Sequence, residues 1–94
     1  MKNEIQITIA KIIKVLSSND APDWAKQFER MSAYLDDDYE EALGVIHQQF
    51  GGMGSFNDIV LYKDGRPLIQ ENNELDELRT QLYELIFKTM HPNN

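Results

Sequence analysis

The sequence predicts an α+β fold: three N-terminal helices, a two-stranded β-hairpin after a glycine-rich corner, and a C-terminal helix. Three observations carry that prediction. Apolar residues recur at helical spacing from Ile5 to Phe50. Three glycines (Gly51, Gly52, Gly54) then fall within four positions. One stretch, Asp58 to Tyr62, reads as a strand before helical periodicity returns.

The first helix is expected from about Asn3 to Ser17. Ile5, Ile9, Ile12 and Leu16 are spaced by four, three and four residues, which puts them on one face. Ile13 widens that stripe, and Ile7 and Val15 fall off it. Glu4 to Thr8 alternates as a strand would, but Ala10 to Leu16 does not, so the segment reads as helix. The apolar residues off the stripe imply either burial on two sides or a dimer contact. Ser17 to Asp20 is a loop. Pro22 suits the first turn of a second helix, where the missing N–H costs nothing. Trp24, Phe28, Met31 and Leu35 form its apolar face, with Lys26, Gln27, Glu29 and Arg30 opposite. Trp24 at this spacing reads as core, with a ligand platform as the alternative.

Asp36 to Asp38 end that helix and begin the next. Asp38, with Glu41 three residues on, approximates a capping box, and the acids suit the positive end of a helix. Tyr39, Leu43, Ile46 and Phe50 give the third stripe, with Gly51 placed as its C-terminal cap. The short joint makes the second and third helices antiparallel neighbours.

The glycine corner does not read as a phosphate cradle. A helix precedes it instead of a strand, and no Gly-Lys-Ser/Thr follows. The glycines supply positive φ and close backbone approach, and Ser55 with Asn57 or Asp58 forms an Asx-type turn. Met53 and Phe56 either fold back over the core or make an exposed apolar patch. Asp58 to Tyr62 is the first strand, Lys63-Asp64-Gly65 the turn, and Arg66 to Ile69 a short return strand that Pro67 makes an edge or very irregular. Asn72 or Asn73 is expected to cap the last helix, with Glu74, Asp76 and Glu77 in its first turn. Leu75, Leu78, Leu82, Leu85 or Ile86, and Thr89 carry its stripe towards Pro92.

With 94 residues there is too little chain for two cores, so residues 1–94 are expected to form one domain. No cysteine is present, which excludes disulfides, thiolate metal sites and thiol nucleophiles. Cytoplasm is the simplest expectation. The longest apolar segment, Ile5 to Leu16, is interrupted by Gln6, Thr8, Lys11 and Lys14 and falls short of the about 20 residues a membrane span needs. No signal-peptide pattern is visible. Sixteen acidic and nine basic residues give a net charge of −7, which disfavours nucleic acid. That charge fits either simple solubility or steering towards a basic partner.

Asp36, Asp37, Asp38, Glu40 and Glu41 form the densest charge cluster. It lacks the alternating carboxylates and central glycine of a calcium loop, leaving a solvated cap or a face for a basic partner. Glu71, Glu74, Asp76 and Glu77 raise the same choice. His47 and His91 lack a helical ligand four residues on, the serines sit in no nucleophile elbow, and no triad is visible. The expectation is a non-catalytic protein with no cofactor and no metal.

From Gly51 to Asp58 the chain reads GGMGSFND, followed by Val60-Leu61-Tyr62. In this it resembles a family of small uncharacterised bacterial proteins with that type of segment, then a short hairpin and a leucine-rich acidic helix. The resemblance spans roughly Trp24 to Leu85. It implies the architecture and carries no activity. Small acidic proteins of this build are found among immunity proteins that neutralise bacterial toxins, which is an association of class. The functional expectation is therefore a non-catalytic acidic binding protein, an immunity protein or inhibitor of a basic toxin domain. Its partner-binding residues would be Asp36, Asp37, Asp38, Glu40, Glu41, Met53, Phe56 and Asp58. The alternatives are a structural or regulatory homo-oligomer, or a small-molecule binder at the glycine-rich corner. A homodimer is expected through the hairpin edges or the surplus isoleucines of the first helix.

Overall fold

The apolar stripes of the sequence become the faces along which four helices meet. The computed structural model describes residues 2–51 and 56–92. Helix α1 is Lys2–Ser18, α2 Pro22–Asp37, α3 Tyr39–Gln48 and α4 Ile69–Met90. A 3-10 turn at Phe56–Asp58 precedes a hairpin of β1 (Tyr62–Lys63) and β2 (Arg66–Pro67). Helix α1 packs on α2 and α4, α2 on α3, and α3 on α4, so the helices close into a ring around shared core residues. The result is an α+β fold in which the helices dominate.

Contact with both α2 and α4 accounts for the apolar density of α1. Ile5, Ile9, Ile12 and Leu16 are fully buried, and Val15, off the stripe, is buried with them. Thr8 also enters the core because its hydroxyl donates to the Glu4 carbonyl at 2.9 Å, satisfying its polar group locally. Ile7 alone of the α1 isoleucines stays half exposed, at 50%.

Helix α2 buries Ala25, Phe28, Met31 and Leu35, and Pro22 stands in its first turn as expected. Asp38 serves two helices at once. Its backbone N–H donates to Tyr34 O at 2.9 Å, closing α2, while its carboxylate accepts from the Glu41 N–H at 3.3 Å, opening α3. One extended residue therefore makes the joint and turns the chain back.

Several expectations are corrected. Helix α3 ends at Gln48, before Phe50, and Gly51 takes no left-handed conformation as a cap. The N–H groups of Gln49, Phe50 and Gly51 donate to the carbonyls of Ile46, His47 and Gln48, and the Gln49 amide reaches Val45 O at 3.0 Å. The helix thus winds down through tight turns that satisfy its last carbonyls without positive φ. Residues 52–55, with the rest of the predicted corner, lie outside the described residues.

The hairpin is also shorter than expected, pairing only Tyr62 with Pro67 and Lys63 with Arg66 across Asp64 (φ 53) and Gly65 (φ 78). Asp58 belongs to the 3-10 turn, and Ile69 already starts α4. Asn72 takes the place of a longer ladder. Its Oδ1 accepts from the Leu61 N–H at 2.7 Å and its Nδ2 donates to Leu61 O at 3.0 Å, so a side-chain amide pairs with backbone as a strand neighbour would. For the same reason neither Asn72 nor Asn73 caps α4, whose N-cap is Leu68 with no side-chain hydrogen bond. With this earlier start Glu71, not Glu74, Asp76 or Glu77, lies in the first turn. Leu75, Leu78, Leu82 and Ile86 are its buried row.

Candidate protein-binding surface

The joint between α2 and α3 brings the predicted acidic residues together on an exposed corner, but it does not leave them equivalent. Asp36 lies 2.9 Å from Lys2 Nζ and accepts from Gln6 Nε2 at 3.2 Å. The hydrogen bond from Lys2, then that from Gln6, holds its carboxyl below the usual carboxylate range. Asp38 is committed to the cap of α3. Asp37, Glu40 and Glu41 carry no side-chain hydrogen bond or ion pair among the described residues. They are the carboxylates open to a partner.

Of these, Asp37 borders an apolar groove between α2 and α3. It encloses about 430 Å³ and is floored by Met31, Tyr34 and Val45, with Asp37 and Arg30 on its rim. Gln27 donates to Gln49 across one end at 2.7 Å. Burial pushes the Tyr34 hydroxyl's pKa up, and the charges of Glu41, Asp38 and Asp37 push it further. Apolar floor beside unpaired negative charge suits a long cationic side chain, whose alkyl stem can lie on carbon while its head meets a carboxylate.

The remaining predicted contacts are elsewhere. Met53 lies outside the described residues. Phe56 is fully buried and cannot serve as an exposed anchor; of the two readings of this loop, the one that folds it over the core applies to this residue. Its ring centroid is 4.6 Å from Phe28, 5.7 Å from Phe50 and 5.8 Å from Trp24, and this aromatic contact outweighs any exposed role. Asp58 is exposed on the 3-10 turn and contributes its charge to Arg79.

Arg79 is the residue that sequence reasoning missed. Buried on α4, it donates from Nη1 to Asn57 O at 2.7 Å and from Nη2 to Ile59 O at 3.1 Å, with Asp76 3.5 Å away. Burial lowers its pKa, opposed by the charges of Asp76 and Asp58. The planar fork ties the irregular segment before the hairpin to α4, which lysine could not do with the same geometry. One signal was available: Arg79 stands four residues after Leu75, within the row that otherwise buries leucine.

No group of His, Asp and Glu among the described residues is placed to hold a metal ion. No described helix is long and apolar enough to cross a membrane. What the fold and this surface define is a small, mainly helical α+β protein with an acidic corner beside an apolar groove. Residues 17–69, more than half of the chain, match the family described as a domain of unknown function, DUF6966, and the chain belongs to that family. The match runs from the end of α1 to the start of α4 and includes the whole α2–α3 joint. No curated protein and no solved structure matches the chain.

Proposed function

We propose that this chain is a non-catalytic binding protein that captures a cationic protein domain on its α2–α3 face, and that its role is to inhibit a bacterial toxin as an immunity protein. The observation that carries this reading is the groove floored by Met31, Tyr34 and Val45, with the unpaired carboxylate of Asp37 on its rim and Glu41 close by. The net charge of −7 draws a basic partner in at long range, where electrostatics sets the on-rate. At contact, the groove takes the stem of a lysine or arginine and Asp37 its head. Binding alone would block the toxin, so no catalytic group is required.

The test is co-expression with the product of the gene directly upstream, where a cognate toxin would be encoded. Rescue of growth by the wild-type chain, lost when Asp37, Glu40 and Glu41 are together changed to lysine, supports the reading. Rescue that ignores the charge reversal, or binding of the purified pair that ignores salt, counts against it.

A further inference from the structure

The groove between α2 and α3 is rimmed by charge of both signs. Arg30, Ala33, Tyr34 and Asp37 line it at helical spacing and so share one face of α2, with Val45 of α3 and Gln49 just beyond it opposite. Arg30 and Asp37 are both exposed, and neither has a side-chain hydrogen bond or ion pair among the described residues. Seven residues of helix set them about 10 Å apart along the axis, and the two do not pair. Between them lies the carbon of Met31, Tyr34 and Val45. At the Gln27 end the two amides bond to each other at 2.7 Å, and Gln49 Nε2 donates to Val45 O at 3.0 Å, so that end offers no charge.

We propose that the segment seated here is a short amphipathic helix of the partner. It sets a basic residue over Asp37, an acidic residue seven positions away over Arg30, and apolar side chains between them. This rests on the capture reading above, and adds to it the partner's secondary structure and its second charge.

Charge complementarity is the reason for this occupant. A segment basic throughout satisfies Asp37 but sets a cation against Arg30, so the rim selects one that is basic at one end only. The negative end is reinforced from across the joint, where the charges of Glu41 and Asp38 reach the Tyr34 hydroxyl together with that of Asp37. Spacing is the reason for a helix. Helical residues seven apart lie on one face at about 10 Å, which matches Arg30 and Asp37. An extended chain covers that distance in about three residues, whose ends point to opposite faces, so it presents one charge and not both. The ten residues of α3 run about 15 Å, room for roughly three turns of a helix laid alongside.

The probes are two stapled helical peptides of about 18 residues, long enough to hold a helix. Each carries leucines three and four positions after a lysine; the seventh position is glutamate in one and lysine in the other. Either chain direction can present the pair, so charge content is varied and order is not. Each peptide is titrated into the intact chain at physiological salt, and NMR shifts of the Met31 and Val45 methyl groups report occupancy. The Lys/Glu peptide is expected to bind about threefold to tenfold tighter than Lys/Lys, one exposed ion pair being gained and one repulsion removed. The net charge of −7 acting alone would favour Lys/Lys. Arg30→Glu should invert the preference, and Asp37→Lys should weaken the Lys/Glu peptide. A wild-type preference for Lys/Lys overturns the proposal. So does a preference that Arg30→Glu leaves in place, binding that Asp37→Lys does not weaken, or a Lys/Glu peptide that shifts neither methyl. Capture of a cationic domain is judged separately by rescue of growth, so a chain that rescues yet prefers Lys/Lys loses the charged helix alone.

Discussion

The guanidinium carbon of Arg79 lies 5.1 Å from the centroid of the Phe56 ring, while its nitrogens hold the carbonyls of Asn57 and Ile59. The cation thus covers one aromatic ring and ties down the backbone that follows it. Helix α4 organises the non-helical half of the fold through this side chain, because the segment from residue 56 to residue 61 has no ladder of its own.

Arg79→Ala should therefore destabilise the fold by about 2–4 kcal/mol, since it leaves two carbonyls without their charged donor. Arg79→Lys should recover less than half of that, because an ammonium cannot span both acceptors as a planar fork does. Urea unfolding midpoints of the two variants check this. Equal stability of wild type and Arg79→Ala would refute it.

Phe56→Ala should cost about 3–5 kcal/mol, the usual range for emptying an aromatic site in a core. The same change would have little effect on stability if the ring were an exposed anchor. Thermal denaturation separates the two.

Asn72→Ala should cost about 1–2 kcal/mol by removing both bonds to the Leu61 backbone. Helical content should not change, because Asn72 does not cap α4. Circular dichroism beside an unfolding curve tests both halves. Asn72→Asp keeps the acceptor and loses the donor, so it should fall between wild type and alanine.

At the α2–α3 joint the acids should separate by role. Asp38→Ala should cost about 1 kcal/mol as a lost N-cap, whereas Asp37→Ala should leave the melting temperature nearly unchanged and slow association with a cationic partner. A stopped-flow on-rate beside a melting curve distinguishes them.

Asp36 gives the pH dependence. Its carboxyl is lowered by Lys2 and Gln6, so its contribution to stability is fully present above the ordinary carboxylate range and is lost as pH falls through its folded value below that range. Asp36→Asn should flatten the acid limb of the stability profile by lowering stability above the carboxylate range and leaving it unchanged in acid, a small loss because the pair is exposed. A profile identical to wild type would contradict the assignment.

The helices were legible in the sequence because an amphipathic helix writes its buried face at a fixed spacing. Ile5, Ile9, Ile12 and Leu16 occupy the core as their period requires, as do Phe28, Met31 and Leu35. The dual role of Asp38 was half visible, since capping depends on residues only three apart. Local chemistry of this kind needs no knowledge of distant segments.

Between Phe56 and Ile69 the hairpin and its turn at Asp64-Gly65 were legible, but the length of its pairing and the segment before it were not, because their backbone partners lie on α4. Whether Asn72 caps a helix or pairs with Leu61 depends on where α4 begins and how close it passes, and no local pattern encodes that. The same holds for Arg79, whose acceptors Asn57 and Ile59 lie 22 and 20 residues away in the chain. The sequence alone determined which faces are apolar and that the chain is strongly acidic. Tertiary packing decided which carboxylates remain unpaired, which aromatic rings are buried and where the grooves open, since each follows from distances between segments that only the folded chain brings together.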